Sequence, residues 1–151
     1  MLWLSVFLLS VTGVACGSDG GPIAKANSDD VVEITMEDNR FVPNEVELRK
    51  GETVTFRFVN EGTVRHEAVF GPTAEQDRHA GEMTGDPHGM DHAASPNSTE
   101  STTSTPAPVM NIDPGETAEL PYAAPTSGEI LIGCHEPGHW EAGMKATVRL
   151  T

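Results

Sequence analysis

Apolar side chains recur at every second position in several short stretches of this chain. In Val32-Glu33-Ile34-Thr35-Met36-Glu37 they fall on one face of an extended segment. Thr53-Val54-Thr55-Phe56-Arg57-Phe58 repeats the alternation, with Val54, Phe56 and Phe58 together, and Lys50-Gly51-Glu52 supplies the turn before it. Ala118, Leu120 and Tyr122 alternate after the turn at Pro114-Gly115, and Ala146-Thr147-Val148-Arg149-Leu150 is a last alternating strand. Ile130, Ile132 and Cys134 share one face, while Leu131 and Gly133 take the other. Beyond the N-terminal apolar run, no segment shows a convincing helical period over two or more turns. Short strands parted by Gly/Pro turns predict an all-β chain, either a sandwich or a barrel.

Residues 1–15 carry no charge and are dominated by Leu, Val and Phe. The run is shorter than the roughly 20 residues a membrane-spanning helix needs, and it reads as the apolar region of an export signal. Val14-Ala15-Cys16 resembles the lipobox of bacterial lipoproteins. That resemblance implies lipid on Cys16 and an extracytoplasmic home, in the periplasm or on the outer face of the cell membrane. Residues 16–30 are Gly-, Ser-, Asp- and Asn-rich and read as a flexible, lipid-anchored tether. The folded domain is expected over 31–151, interrupted by an insertion at 72–108. The insertion carries His79, Met83, His88, Met90 and His92 among Asp77, Glu82, Asp86 and Asp91, followed by a Ser/Thr/Pro tract. Its composition offers little to bury, so it is expected to be disordered.

At 151 residues the chain supports one domain with appendages. A net charge of −14 excludes nucleic acid as a partner, since that requires a basic footprint. It fits a soluble acidic domain that meets basic or metal-bearing partners, and the chain is expected to be a monomer. The two cysteines, Cys16 and Cys134, have separate roles in this reading, so no structural disulfide is expected.

The chemistry concentrates in Cys134-His135-Glu136-Pro137-Gly138-His139-Trp140-Glu141-Ala142-Gly143-Met144. Taken singly, Cys134 reads as a small core residue, His139 as a loop histidine and Met144 as core. Together they place a thiolate, an imidazole and a thioether on one loop, a soft donor set that suits copper. Glu136-Pro137-Gly138 turns the chain and returns His139 toward Cys134, and Glu141-Ala142-Gly143 turns it again before Met144. His135 should face away from Cys134. A copper site of this type needs a second histidine, and His66, which follows the strand at 53–60, is the best candidate. His79, His88 and His92 lie in the stretch expected to be too flexible to hold a rigid ligand. With Met83 and Met90 they are candidates for a second, labile copper site.

The C-x4-H-x4-M loop, with its Pro-Gly-His and Gly-Met pairs, resembles the cupredoxin family, the plastocyanin- and azurin-like blue copper proteins. Its spacing is similar to that of auracyanins, and Gly-Cys-His-x-Pro-Gly-His-x-x-Ala-Gly-Met resembles periplasmic cupredoxins linked to copper tolerance. The likeness covers roughly 31–70 and 109–151. It implies a Greek-key β-sandwich, one type 1 copper at one end, and His139 as the more exposed ligand. Glu67 stands where many electron-transfer members carry an Asn that ties the two ligand loops together.

The expected cofactor is copper, cycling between Cu(I) and Cu(II) at His66, Cys134, His139 and Met144. The set has no designed open position and no evident general acid or base, so no enzymatic activity is expected. Two functions follow. One is copper handling, by sequestration or delivery to a copper-trafficking protein. The alternative is one-electron transfer with a redox partner protein.

Overall fold

Val32, Ile34 and Met36 point inward from β2 (Val31–Glu37), and Val54, Phe56 and Phe58 point inward from β5 (Thr53–Asn60). These two strands run parallel side by side, with Val32 opposite Phe56 and Ile34 opposite Phe58. The computed structural model describes residues 22–84 and 107–151. Its other elements are β1 (Ile23–Ala24), β3 (Arg40–Val42), β4 (Glu45–Leu48), β6 (His66–Gly71), α1 (Thr73–Thr84), β7 (Val109–Ile112), β8 (Thr117–Ala123), β9 (Ile130–Gly133) and β10 (Lys145–Leu150).

The strands form a two-sheet sandwich, one of the two architectures that the alternation allows and the one that the family resemblance implies. One sheet has the order β3-β2-β5-β8 and the other β1-β4-β10-β9-β6-β7. β2–β3, β6–β7 and β9–β10 are neighbours within one sheet, and the chain crosses between the sheets at its other connections. Phe56 and Phe58 cross the gap to meet Phe70 of β6, at ring-centroid separations of 5.1 Å and 6.0 Å, both edge-on. Such aromatic pairs add about 0.5–1.5 kcal/mol each beyond burial of their area. Ile130 and Ile132 of β9 and Ala146 and Val148 of β10 complete the wall of the six-stranded sheet.

Most strands alternate between core and solvent, but β6 is buried on both faces from His66 to Phe70. Its outer face lies under α1. This helix corrects the expectation of a chain without helices and of disorder throughout the insertion at 72–108, of which residues 73–84 are helical. The reason lies in the chemistry of its buried face. Gln76 and His79 carry it, so an apolar period is missing. Polar contacts hold the helix instead. Thr73 donates from both its amide and its hydroxyl to Glu129 Oε2, each at 2.9 Å, and Arg78 bridges Glu75 and Glu82 on the exposed side.

The folded unit also begins earlier than Val31. Ile23 and Ala24 pair in parallel with Glu45 and Val46, and Lys25 reaches Glu47 at 2.7 Å. Two paired residues are too short a run to show alternation. The signal and lipidation expectations at 1–15 and Cys16 lie outside the described residues, as do His88, Met90 and His92. No helix among the described residues is long and apolar enough to cross a membrane.

Candidate metal centre

Cys134 sits one residue beyond β9 and keeps the phase of Ile130 and Ile132, so its thiol is fully buried. The loop that follows folds back through its glycines. Gly138 and Gly143 adopt φ of 84° and 93°, the left-handed region that side chains disfavour. His139 N–H then donates to Glu136 O at 2.9 Å, and Met144 N–H donates to His139 O at 2.9 Å. Cys134 N–H donates to Met144 O at 3.1 Å, which extends the β9–β10 ladder by one pair. The backbone of Met144 is thereby tied to both Cys134 and His139, and its side chain is fully buried.

His66 opens β6 from the opposite side of the site. A polar loop fixes it there. Buried Asn60 donates to Val64 O and Ile112 O, both at 2.9 Å, and its carbonyl accepts from Gly62 N–H. Asp38 accepts from the Thr63 amide at 2.6 Å, which holds its carboxyl below the usual range. A Cβ on Gly62 would stand 2.8 Å from His66 Nε2, so the loop can close over the ring only with glycine there.

The Nδ1 atoms of His66 and His139 face the Cys134 sulfur at 3.8 Å and 3.3 Å. The three donor atoms lie within 4.8 Å of one another, and they are the one such cluster of His, Cys, Asp or Glu among the described residues. A shared ion about 2.0–2.3 Å from each donor produces separations of this size. The residues present therefore fit a small soft cation. His66 Nε2 is buried without a hydrogen-bond partner among the described residues.

Burial pushes the Cys134 thiol pKa up, against the pull of the Glu67 and Glu136 amides. Burial, and then His139, push His66 down. A thiol kept protonated and a neutral imidazole are groups that a cation can convert into a thiolate and a nitrogen ligand.

His135 points to the other side of the sheet, as strand phase predicts. There it meets a polar group in which Gln76 is not singled out by the sequence, while His79 is expected to be a labile copper donor and Glu67 is noted only beside His66. His135 Nε2 lies 2.9 Å from Gln76 Oε1, and its ring stacks on Trp140 at 4.7 Å. Glu67 accepts from His79 Nε2 at 3.2 Å, and both are buried. His79 is thus a packed residue of α1. Met83, exposed near the end of α1, lines a cavity of about 200 Å³ with His135, Pro137, Trp140 and Glu141. The signal for this group was present only as a spacing of three between two polar residues, Gln76 and His79.

Residues 2–80 match the family model described as the cupredoxin-like domain. The copper-resistant cuproprotein CopI of Rubrivivax gelatinosus is 35% identical over 130 residues, covering 85% of this chain and 71% of that protein. CopI of Pseudomonas aeruginosa is 30% identical over 142 residues, covering 83% and 78%. Among solved structures, dithionite-reduced auracyanin from Roseiflexus castenholzii superposes with a TM-score of 0.62 at 21% identity, covering 83% of this chain and 99% of that one. Auracyanin A of Chloroflexus aurantiacus, a blue copper protein, gives 0.57 at 26% identity, covering 80% and 98%.

Proposed function

This chain belongs to the cupredoxin-like family, and on that premise we propose that it is an extracytoplasmic type 1 copper protein that handles copper and contributes to copper tolerance. The observation that carries the reading is the convergence of Cys134 Sγ with the Nδ1 atoms of His66 and His139. Copper, when bound, supplies a one-electron Cu(I)/Cu(II) couple. Cys134 would give a thiolate, His66 and His139 neutral imidazoles, and Met144 a thioether. Burial of Cys134, His66 and Met144 keeps water from three of the four donors. The relatives named for copper resistance favour handling. Of the expected donors of a second, exchangeable site, His79, Met83, His88, Met90 and His92, the first is buried against Glu67, and the other four extend the same reading. The lipid on Cys16 and the monomeric state belong to it as well, and the mass of the native N-terminus tests the anchor.

The experiment pairs copper stoichiometry of the purified protein with growth on copper of a host that lacks it. Wild type should bind one copper tightly, develop an intense visible band and restore growth, and Cys134→Ser should do none of these. Full restoration by Cys134→Ser would remove the reading.

One-electron transfer is the second reading. The partly exposed His139, beside three buried donors, favours it as an exit for electrons. It gains if Cys134→Ser and the Met83/His88/Met90/His92 variant both leave copper tolerance intact while wild type exchanges electrons rapidly.

A further inference from the structure

The polar group under α1 is buried, and the copper reading above leaves it without a role. Glu67, Gln76, His79 and His135 are 3%, 0%, 8% and 8% exposed. Four such residues are costly to bury unless each is paired. Two of them lie next to proposed ligands in the chain, Glu67 after His66 and His135 after Cys134. The other two lie three residues apart on one face of a helix.

The pairing is specific. Gln76 Nε2 donates to Val69 O at 2.9 Å and lies 3.4 Å and 3.5 Å from Gly71 O and Leu131 O. Its amide end is therefore committed to carbonyls of β6 and β9, which turns Oε1 toward His135. His135 Nε2 must then carry the proton of that 2.9 Å contact. His79 Nε2 donates to the Glu67 carboxylate. The two rings touch edge to face at 5.3 Å, so neither pair can shift without the other. Trp140, inside the ligand loop, closes the group by stacking on His135.

The group acts on the metal side through the backbone. Glu67 N–H donates to Cys134 Sγ at 3.3 Å. Where His79 holds Glu67, it also holds the donor to the sulfur. Where Gln76 holds His135, it also holds the strand end that carries the sulfur. One rigid helix thus grips the chain beside both ligands at once.

We propose that Gln76 and His79 are positioning residues of the metal centre, fixing the separation of the His66 and Cys134 strand ends and so setting how tightly and in what geometry copper is held. This rests on the copper reading of the same site. Residues that orient metal ligands typically govern affinity by about 10–100-fold.

The test compares full-length wild type with Gln76→Met and His79→Phe, which keep bulk but remove the hydrogen bonds, and with His79→Gln, which keeps a donor for Glu67. Four quantities are read: copper affinity by chelator competition, the visible and EPR spectra, melting of the metal-free form, and alkylation of Cys134 in that form. Gln76→Met and His79→Phe should weaken copper binding about 10–100-fold, alter the copper hyperfine splitting and speed alkylation. His79→Gln should return each toward wild type. Lower melting temperatures with wild-type affinity, spectra and alkylation would mean that the residues only dock the helix, and would overturn the proposal. If His79→Phe does not fold, His79→Asn, whose shorter amide falls short of Glu67, takes its place. Matching spectra for His79→Asn and His79→Gln would then be the overturning result. A wild type with no visible copper band would instead sink the copper reading. The alkylation rates would still decide whether the helix positions Cys134.

Discussion

The amide of Glu67 donates to the sulfur of Cys134 at 3.3 Å, joining residues 67 positions apart in the chain. The contact exists because β6 and β9 are neighbours, with Val69 opposite Gly133. Cys134→Ser keeps a hydrogen-bonding group for that amide but takes away the thiolate. The variant should fold, with a stability loss of about 1–3 kcal/mol from burying a hydroxyl. The visible charge-transfer band should vanish. Titration with Cu(II) followed by absorbance and circular dichroism checks both halves, and a retained band would show that another group supplies the sulfur-to-copper transition.

Met144 is fully buried and bound through its backbone to Cys134 and His139. Met144→Leu keeps the volume and the loop closure, since such swaps usually cost less than about 1.5 kcal/mol. Its copper form should stay coloured, with a higher reduction potential because the axial donor tunes it. Protein-film voltammetry reads the change. An unchanged or lower potential would place Met144 in the core only.

Burial raises the Cys134 thiol above its ordinary value of 9.0. A raised folded pKa contributes stability that is fully present below the unfolded value and is lost as pH rises through the folded one. The metal-free protein should therefore lose melting temperature above about pH 9, and metal-free Cys134→Ser should lose less. Copper binding must expel the thiol proton, so affinity should rise about tenfold per pH unit below that pKa. Melting curves and competition titrations across pH 6–10 decide the point, and a pH-independent affinity would contradict it.

Much of the fold was legible because burial was written as apolar alternation. Val32, Ile34 and Met36, and Val54, Phe56 and Phe58, needed only a period of two to be placed inside. The phase of Ile130, Ile132 and Cys134 likewise put the thiol among core residues, and turns at Gly138 and Gly143 let one loop return to it. What stayed hidden was burial achieved by pairing. Gln76, His79, Glu67 and His135 look like surface residues one at a time, and only the fold shows that each finds a partner. The helix went unseen for that reason, and β1 because two residues cannot display a pattern.

Gly133 is the residue on which this pairing closes. A Cβ there would lie 2.7 Å from Trp140 Cζ3 and closer still to Gln76 Oε1. Neither neighbour is free to withdraw, since Gln76 is committed to strand carbonyls and Trp140 is stacked on His135. Gly133→Ala should cost about 1–3 kcal/mol, the usual range for overpacking. Chemical denaturation of the metal-free protein measures it. A neutral result would mean that Gln76 and Trp140 move aside easily.

The composition of 74–108 alone suggests that the whole segment can be removed at little cost to the fold. The structure argues for the opposite at its N-terminal end. Deleting 74–108 takes away α1 from Ala74 onward and uncovers Val69 and Gly133. It also leaves Glu67 and His135 without their partners. Each buried polar group so orphaned costs about 1–3 kcal/mol, more for a charged one. Water reaching the opened face would recover part of that, but it cannot replace the packing of the helix over β6. The deletion should therefore lower the melting temperature of the metal-free protein well beyond the effect of Gly133→Ala. Unfolding followed by tryptophan fluorescence is a suitable measure, because Trp140 packs directly against this group. A deletion variant that melts with wild type would show that α1 is an ornament on the sandwich, and would take with it the case for Gln76 and His79.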